Sequence, residues 1–369
     1  MKIAFLAHTT TLGGAAVSQR IALSYILDLG WIKKDECILY VPWGDIGAYK
    51  ELDGKIRIGY WHMPFSLVFR EASTRLRTQG MATAKQFLSI VMVLLFYNRE
   101  LRRENVTHIH LNSIVFWSLL PFLPKEMKKV IHIRETPKTT VIAQFAVWVI
   151  NRYADKVIAI TEQCAKPFPR AIVVENPVDM YEARQLRNLR ASLKEKWKLP
   201  RDSFVISMFS PIGTQKGYDF LIQVMNRITY ANIVFLSIGG VDAGEEELAG
   251  KIKRYSQFRH IPQQENTGEL YAMTDVVLRC EDYLPLGRTV FEGIYAGCMV
   301  LLPLRTEDDV NVEEIMDQII LYRARDVEDC IEQIACLYHT YKNGIYDNGF
   351  APTSNVAVSA SNLLHAIKS

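Results

Sequence analysis

The chain has 369 residues, of which 49% are hydrophobic and 22% charged, and carries a formal net charge of +3. That length allows two domains of ordinary size, the composition excludes a disordered chain, and so small a charge argues against nucleic acid as a partner. Six cysteines are scattered with no CxxC pair, which points away from a zinc site or a disulfide framework and towards a reduced, cytoplasmic setting.

The opening MKIAFLAHTTTLGG has too short an apolar run for a signal peptide, and Lys2 to Ala7 reads as a first strand. Gly13-Gly14 punctuates it, and Ala15 to Leu29 carries apolar residues at helical spacing. Strands are expected at Cys37 to Pro42 and Lys55 to Tyr60, then an irregular basic stretch from Trp61 to Gly80 and a helix from Lys85 to Glu104. Short β-branched runs follow at Thr107 to Leu111, Lys129 to Ile133, Lys156 to Ile160 and Ala171 to Val174. A short helix is expected within Leu119 to Lys128, and a longer one at Val141 to Tyr153. Asn176-Pro177-Val178-Asp179 breaks the alternation, and a charged helical segment from Tyr181 to Leu199 follows. Strands and helices then alternate again from Phe204 to the strand Cys298 to Leu302. Helices near Val312 to Asp317, at Val327 to Lys342 and at Thr353 to Ile367 complete the chain. Such alternation predicts an α/β protein with two Rossmann-like, doubly wound parallel sheets. The domains are placed at 1–180 and 181–350, with 351–369 as a final helix. Two such domains are expected to face a cleft, with ligands at the C-terminal edges of the sheets.

The residues just after strands are therefore the candidates. Gly13 and Gly14 open the first helix, where a missing Cβ lets a phosphate approach the backbone. A plain tight turn explains the same pair, and GxGxxG is absent. His110 and Asn112 end one strand, and Arg134 and Glu135 another. His110 can orient a hydroxyl or share a proton near neutral pH, or be an interior histidine beside His108. In SPIGTQKG, Ser210 to Gly217, Lys216 precedes a helix, so its ammonium and the helix dipole can act on one phosphate. In EDYLPLGRTVFEGIYAGCMVLLP, Glu281 to Pro303, the turn at Gly287, Arg288 and Thr289 feeds a helix that carries Glu292. An anion on that N-terminus and a ribose on Glu292 suit the pattern, yet Thr289 and Glu292 are also spaced as a capping box.

Taken in order, GGAAVSQRIA, ADKVIAITEQ with VVENPVD, FSPIGTQKGYDFLI and TGELYAMTDVVLRCEDYLPLGRTVFEGIYAGCMVLLP resemble the motifs of GT-B retaining glycosyltransferases of family four. The resemblance spans nearly the whole chain. It implies a nucleotide-sugar donor held mainly by the second domain and a glycan or lipid-linked acceptor held mainly by the first. Gly13, Gly14, Lys216, Gly287, Arg288 and Thr289 are then the diphosphate contacts, Glu292 the ribose contact and His110 the neighbour of the transferred sugar. His110, Lys216 and Glu292 form the catalytic set, and Asn112, Arg134 and Glu135 the acceptor side. The loop Ile261 to Gln264 flanks the base, no metal or other cofactor is expected, and the last helix crosses back to the first domain. The reaction implied is transfer with retention, in polysaccharide or glycoconjugate assembly.

Three positions depart from the pattern. Leu284 stands where the family has a glutamate eight residues before Glu292, Pro211 where arginine or serine is usual, and Arg134 where histidine is common. These open a second reading, a catalytically degenerate GT-B protein that binds a glycan or a partner enzyme. A nucleotide-sugar epimerase is a third, favoured by nothing beyond the fold. The basic stretch Arg70 to Arg77 and the apolar run Phe87 to Tyr97 make peripheral contact with an anionic membrane a candidate, although a core helix beside a solvated loop is the commoner arrangement. No run approaches the roughly 20 apolar residues needed to cross a bilayer.

Overall fold

The computed structural model describes residues 1–61, 84–85, 87–137, 140–305, 317–344 and 348–369. The basic stretch at 70–77 and all but the last residue of the helix expected near Val312 to Asp317 lie outside the described residues. The chain divides into two compact units, one of residues 1–177 with 355–369 and one of residues 178–354.

In the first unit, seven strands run parallel: β1 (Ile3–Leu6), β2 (Cys37–Pro42), β3 (Arg57–Trp61), β4 (His108–Leu111), β5 (Lys128–Ile133), β6 (Lys156–Ala159) and β7 (Ala171–Val173). Their order is β3-β2-β1-β4-β5-β6-β7. Ile3 to Leu6 are all fully buried, as befits a parallel strand covered on both faces. Alternate residues of each strand serve different cores. Ala4, Leu6, Ile38, Tyr40, Ile109 and Leu111 join one cluster. Ile3, Phe5, Cys37, Leu39, Val41 and Val130 join another. The last helix, Val356–Lys368, packs on the first, Gly14–Asp28, and places Ala360, Leu363 and Ile367 in that second cluster.

The second unit repeats the arrangement with six parallel strands: β8 (Phe204–Phe209), β9 (Ile233–Ile238), β10 (Phe258–Ile261), β11 (Val276–Leu278), β12 (Met299–Leu304) and β13 (Ile319–Arg323). Their order is β10-β9-β8-β11-β12-β13. Again Val205, Phe209, Val277 and Val300 face one core, and Phe204, Ile206, Val276 and Leu301 the other.

Gly217 is required by its backbone, with φ at +76° and a Cβ that would lie 1.9 Å from the Cys280 carbonyl oxygen. That contact fixes the turn Thr214–Lys216, at the end of β8, against the chain leaving β11.

Three elements differ from expectation. β13 lies where no element was expected. The short helix expected within Leu119 to Lys128 is a 3-10 helix at Ile114–Phe122. The expected core helix at Lys85 to Glu104 contains a π-helical turn, Val93–Tyr97, which buries Val93 and Tyr97 and leaves Leu94, Leu95 and Phe96 exposed.

Candidate functional site

In the second unit the candidate residues gather around a buried ion pair. Arg279 and Glu281 lie just beyond β11, two apart, so both side chains leave the strand on the same side. The Glu281 carboxylate is wholly buried. It accepts from Arg279 Nε at 3.1 Å and from the same guanidinium through a second nitrogen. Lys216 Nζ, on a side chain one-third exposed, lies 3.4 Å from Glu281 Oε1. Arg279 Nη1 also donates to Thr289 Oγ1 at 2.7 Å, and the Arg279 carbonyl accepts from Tyr322 Oη at 2.7 Å. Burial pushes the Glu281 carboxyl up, but Arg279 and Lys216 outweigh that and hold it below the usual carboxylate range.

Beside this network the helix Arg288–Tyr295 begins, with Gly287 before its first residue and no side chain capping it. The capping-box reading of Thr289 and Glu292 is corrected here. The helix starts at Arg288, so Thr289 lies inside it and its hydroxyl oxygen accepts from Arg279. Glu292 instead accepts from Arg288 Nε at 2.6 Å and from Tyr271 Oη at 2.8 Å. Tyr271 stacks face to face on Phe209, the last residue of β8, with ring centroids 3.8 Å apart. A rigid aromatic pair thus sets the height of the Glu292 carboxylate. Gly287 leaves the approach to the helix N-terminus open, since a Cβ there would meet only Arg279 Nη1, at 3.9 Å. The cluster therefore sets the cations Lys216, Arg279 and Arg288 against the carboxylates Glu281 and Glu292. With the positive end of the helix dipole, that is a surplus suited to an anion.

Leu284 turns inward and is 2% exposed within the core that holds Val290 and Ile294. It presents nothing to a ligand. Glu281, three residues earlier, is committed to Arg279.

In the first unit, Arg134 connects the ends of three strands. Its Nε donates to Asn112 Oδ1 at 2.8 Å, one Nη to Asn176 Oδ1 at 2.6 Å, and the other lies 3.4 Å from His132 Nδ1. Asn112 Nδ2 donates to the Ala15 carbonyl at 3.0 Å, so the first turn of the Gly14–Asp28 helix is fastened to β4. Glu135 accepts from Ser113 Oγ at 2.9 Å and from the Arg134 amide at 3.2 Å. Burial raises the Glu135 carboxyl against these bonds. Gly13 precedes the helix with φ at −92°, an ordinary backbone, and a Cβ on it would meet nothing closer than 3.9 Å. No left-handed turn requires glycine there.

His110 is buried, with Nε2 3.4 Å from His132 Nδ1 and its ring against Phe5. Its neighbour is thus His132, across to β5, while His108 turns to the Thr107 hydroxyl at 2.9 Å. Burial and then the Arg134 charge push His110 down to about 3. The imidazole is neutral at physiological pH, and sharing a proton there is not open to it. His8, at the end of β1, is lowered to about 4 by the same two causes, against a backbone bond to Asn112.

No family model matches the chain, and no curated protein matches it. Solved structures do. HepE of Anabaena, in complex with UDP and glucose, is 17% identical over 100% of both chains with a TM-score of 0.76. Sucrose-phosphate synthase of Thermosynechococcus elongatus is 14% identical, over 100% of this chain and 98% of that one, with a TM-score of 0.75. WaaG, a glycosyltransferase involved in lipopolysaccharide biosynthesis, is 14% identical over 100% and 95% of the two chains, at 0.65. With its two parallel-sheet α/β units, the chain has the GT-B fold of these enzymes.

Proposed function

We propose that this protein is a retaining glycosyltransferase that moves a sugar from a nucleoside-diphosphate donor to a glycan or lipid-linked acceptor, in polysaccharide or glycoconjugate assembly. The observation that carries the reading is the cation-rich cluster at the N-terminus of the Arg288–Tyr295 helix, with Glu292 held beside it by Arg288 and Tyr271. Lys216, Arg288 and the turn at Gly287 and Thr289 take the diphosphate, and Glu292 takes the ribose. In the first unit, the polar set at Asn112, Arg134 and Glu135 receives the acceptor.

In this mechanism the acceptor hydroxyl attacks the anomeric carbon on the face the diphosphate leaves. The new C–O bond forms as the bond to the β-phosphate breaks, and the hydroxyl proton passes to a departing phosphate oxygen. Lys216, Arg288 and the helix dipole stabilise the developing negative charge, the role a metal plays elsewhere. His110, buried beside His132, contributes polarity near the sugar. Support for a nucleotide-sugar donor comes from HepE, whose structures hold UDP with glucose and UDP-glucose. Leu284 favours a second reading, a non-catalytic glycan- or partner-binding protein, because its side chain is spent on the core.

Thermal melts with UDP, UDP-glucose and then the other nucleotides separate these readings. At a hundred times its dissociation constant the right ligand adds about 2.7 kcal/mol, an upward shift of roughly 5–10 °C for a unit of this size. A shift together with nucleoside diphosphate released from a nucleotide sugar is the result expected. No shift with any nucleotide removes the donor site. A shift with no turnover of any nucleotide sugar moves the conclusion to the second reading.

A further inference from the structure

Both supports of the Glu292 carboxylate are fastened from behind by one pair of chain segments. Glu292 stands on the helix Arg288–Tyr295, and Tyr271, which donates to it, stands on the helix Gly268–Met273. Gly293 lets the first of these lie directly on the sheet, since a Cβ there would come within 2.7 Å of Val277 Cγ2 on β11. The last turn of a helix leaves carbonyls without partners inside it, and the segment 348–354 supplies donors here. Asn348 Nδ2 donates to the Ile294 carbonyl at 2.9 Å and to the Cys298 carbonyl, just before β12, at 2.8 Å. Asn348 Oδ1 accepts from the Phe350 amide at 2.9 Å, so both ends of the side-chain amide are in use. The Phe350 ring meets Tyr295 with centroids 5.1 Å apart.

The segment 179–187 completes the arrangement. Arg184 donates through one Nη to the Phe350 carbonyl at 2.6 Å, and the other lies 3.5 Å from the Tyr295 carbonyl. Arg187, buried, donates at 3.0 Å to the carbonyl of Thr274, the residue after the Gly268–Met273 helix, and lies 3.6 Å from Cys298 Sγ. The ends of both helices are thus tied through one guanidinium. The two segments also pair with each other. The Met180 amide donates to the Thr353 carbonyl at 2.8 Å, and Asp179 bridges to Ser354. By these segments the chain enters and leaves the second unit, which runs from 178 to 354. A simple helix cap needs only the Asn348 bonds. Here one clasp reaches both helices that hold Glu292, and a shift of about 0.5 Å in either is enough to spoil a ligand hydrogen bond from that carboxylate.

We propose that the clasp of segments 179–187 and 348–354 sets the geometry of the anion and ribose site from its far side, with Asn348 as the positioning residue for Glu292. The inference rests on the nucleotide site of the proposed function. Coupling is reciprocal, so a ligand that binds better with the clasp closed must hold it closed by the same factor. The test takes the full chain with UDP, ADP, GDP and dTDP. Saturation with the diphosphate that binds should slow hydrogen exchange of the Met180 amide by about fivefold or more. The Asn343 amide, at the end of the Val327–Lys342 helix on the other core, should not change. Asn348→Ala should weaken the same ligand by a similar factor in calorimetry well below the melt. Ile334→Ala, in that other core, should lower the melt and leave affinity unchanged. Unchanged exchange at Met180 with ligand bound overturns the proposal and leaves the nucleotide site standing. That measurement uses the original chain and holds whether or not the variant folds. Equal affinity in Asn348→Ala, or an equal loss in Ile334→Ala, also overturns it. Binding of none of the four by the original chain removes the nucleotide site and the proposal together.

Discussion

Acidification from pH 7 to pH 5 should cost the first unit about 4 kcal/mol, from His8 and His110 alone. Both are held far below the ordinary histidine value, at about 4 and about 3, by burial and by Arg134. In the unfolded chain each takes up a proton near pH 6.5, so between 6.5 and about 4 the unfolded state binds more protons than the folded one. Stability is therefore full above pH 6.5 and falls as the pH drops, by about 2 kcal/mol for each group at pH 5. His132 is lowered for the same reasons, with His110 as a third cause, and acts in the same direction. Glu135, raised by burial, runs the other way and offsets part of the loss. The observable is the melting temperature of the first unit, which should fall by roughly 10 °C over this range. The ring protons of His8 and His110 should stay at their neutral positions in NMR spectra down to pH 5. A flat melting temperature, or His110 titrating near pH 6.5, would show that these rings are not buried beside Arg134.

Glu281→Ala should destabilise the second unit by about 3–5 kcal/mol, the usual cost of breaking one side of a buried ion pair. The carboxylate is the counter-charge to Arg279, whose guanidinium is itself almost wholly buried. Without it, Arg279 keeps only the Thr289 hydroxyl among the partners described for its side chain, and Lys216 loses its anchor. Replacing both members, Arg279→Met with Glu281→Leu, should recover most of the loss, because neither charge is then left alone in the core. Melts of the three variants check this. A cost below about 1 kcal/mol for Glu281→Ala would mean that water reaches the pair.

The sheets were legible because parallel strands covered on both faces read as short, continuous apolar runs, as in IAFL and FVISMF. β13 was not, since IILYR sits between polar and charged neighbours with no turn signal to set it off. The apolar run at Phe87 to Tyr97 has the length and composition of a core helix, and nothing in it announces the π-helical turn that exposes Leu94 to Phe96. At the candidate site, Lys216, Arg288, Thr289 and Glu292 were all singled out from sequence, but Arg279 and Tyr271, which hold Thr289 and Glu292, were not. Glu292 is held by Tyr271, 21 positions earlier, and no local pattern links the two. The capping box failed for the same reason, because Arg279 and Tyr271 claim side chains that local spacing assigns to the helix start. Arg279 and Glu281 did leave a signal. Opposite charges two apart at the end of a buried strand share one face and must either pair or find other partners. In the first unit, His110 was paired by sequence with His108, whereas the sheet offers it His132. Only strand order decides that.

Titration calorimetry with UDP, ADP, GDP and dTDP, on the original chain and on Glu292→Ala, tests the central claim most directly. The Glu292 side chain is held between Arg288 and Tyr271. If it holds the ribose of a nucleotide donor, one of these diphosphates binds the original chain. Its affinity then falls by roughly 10- to 150-fold in the variant, the loss expected for a hydrogen bond to a charged group. Binding of none of the four, or equal affinity in the two proteins, would contradict the account.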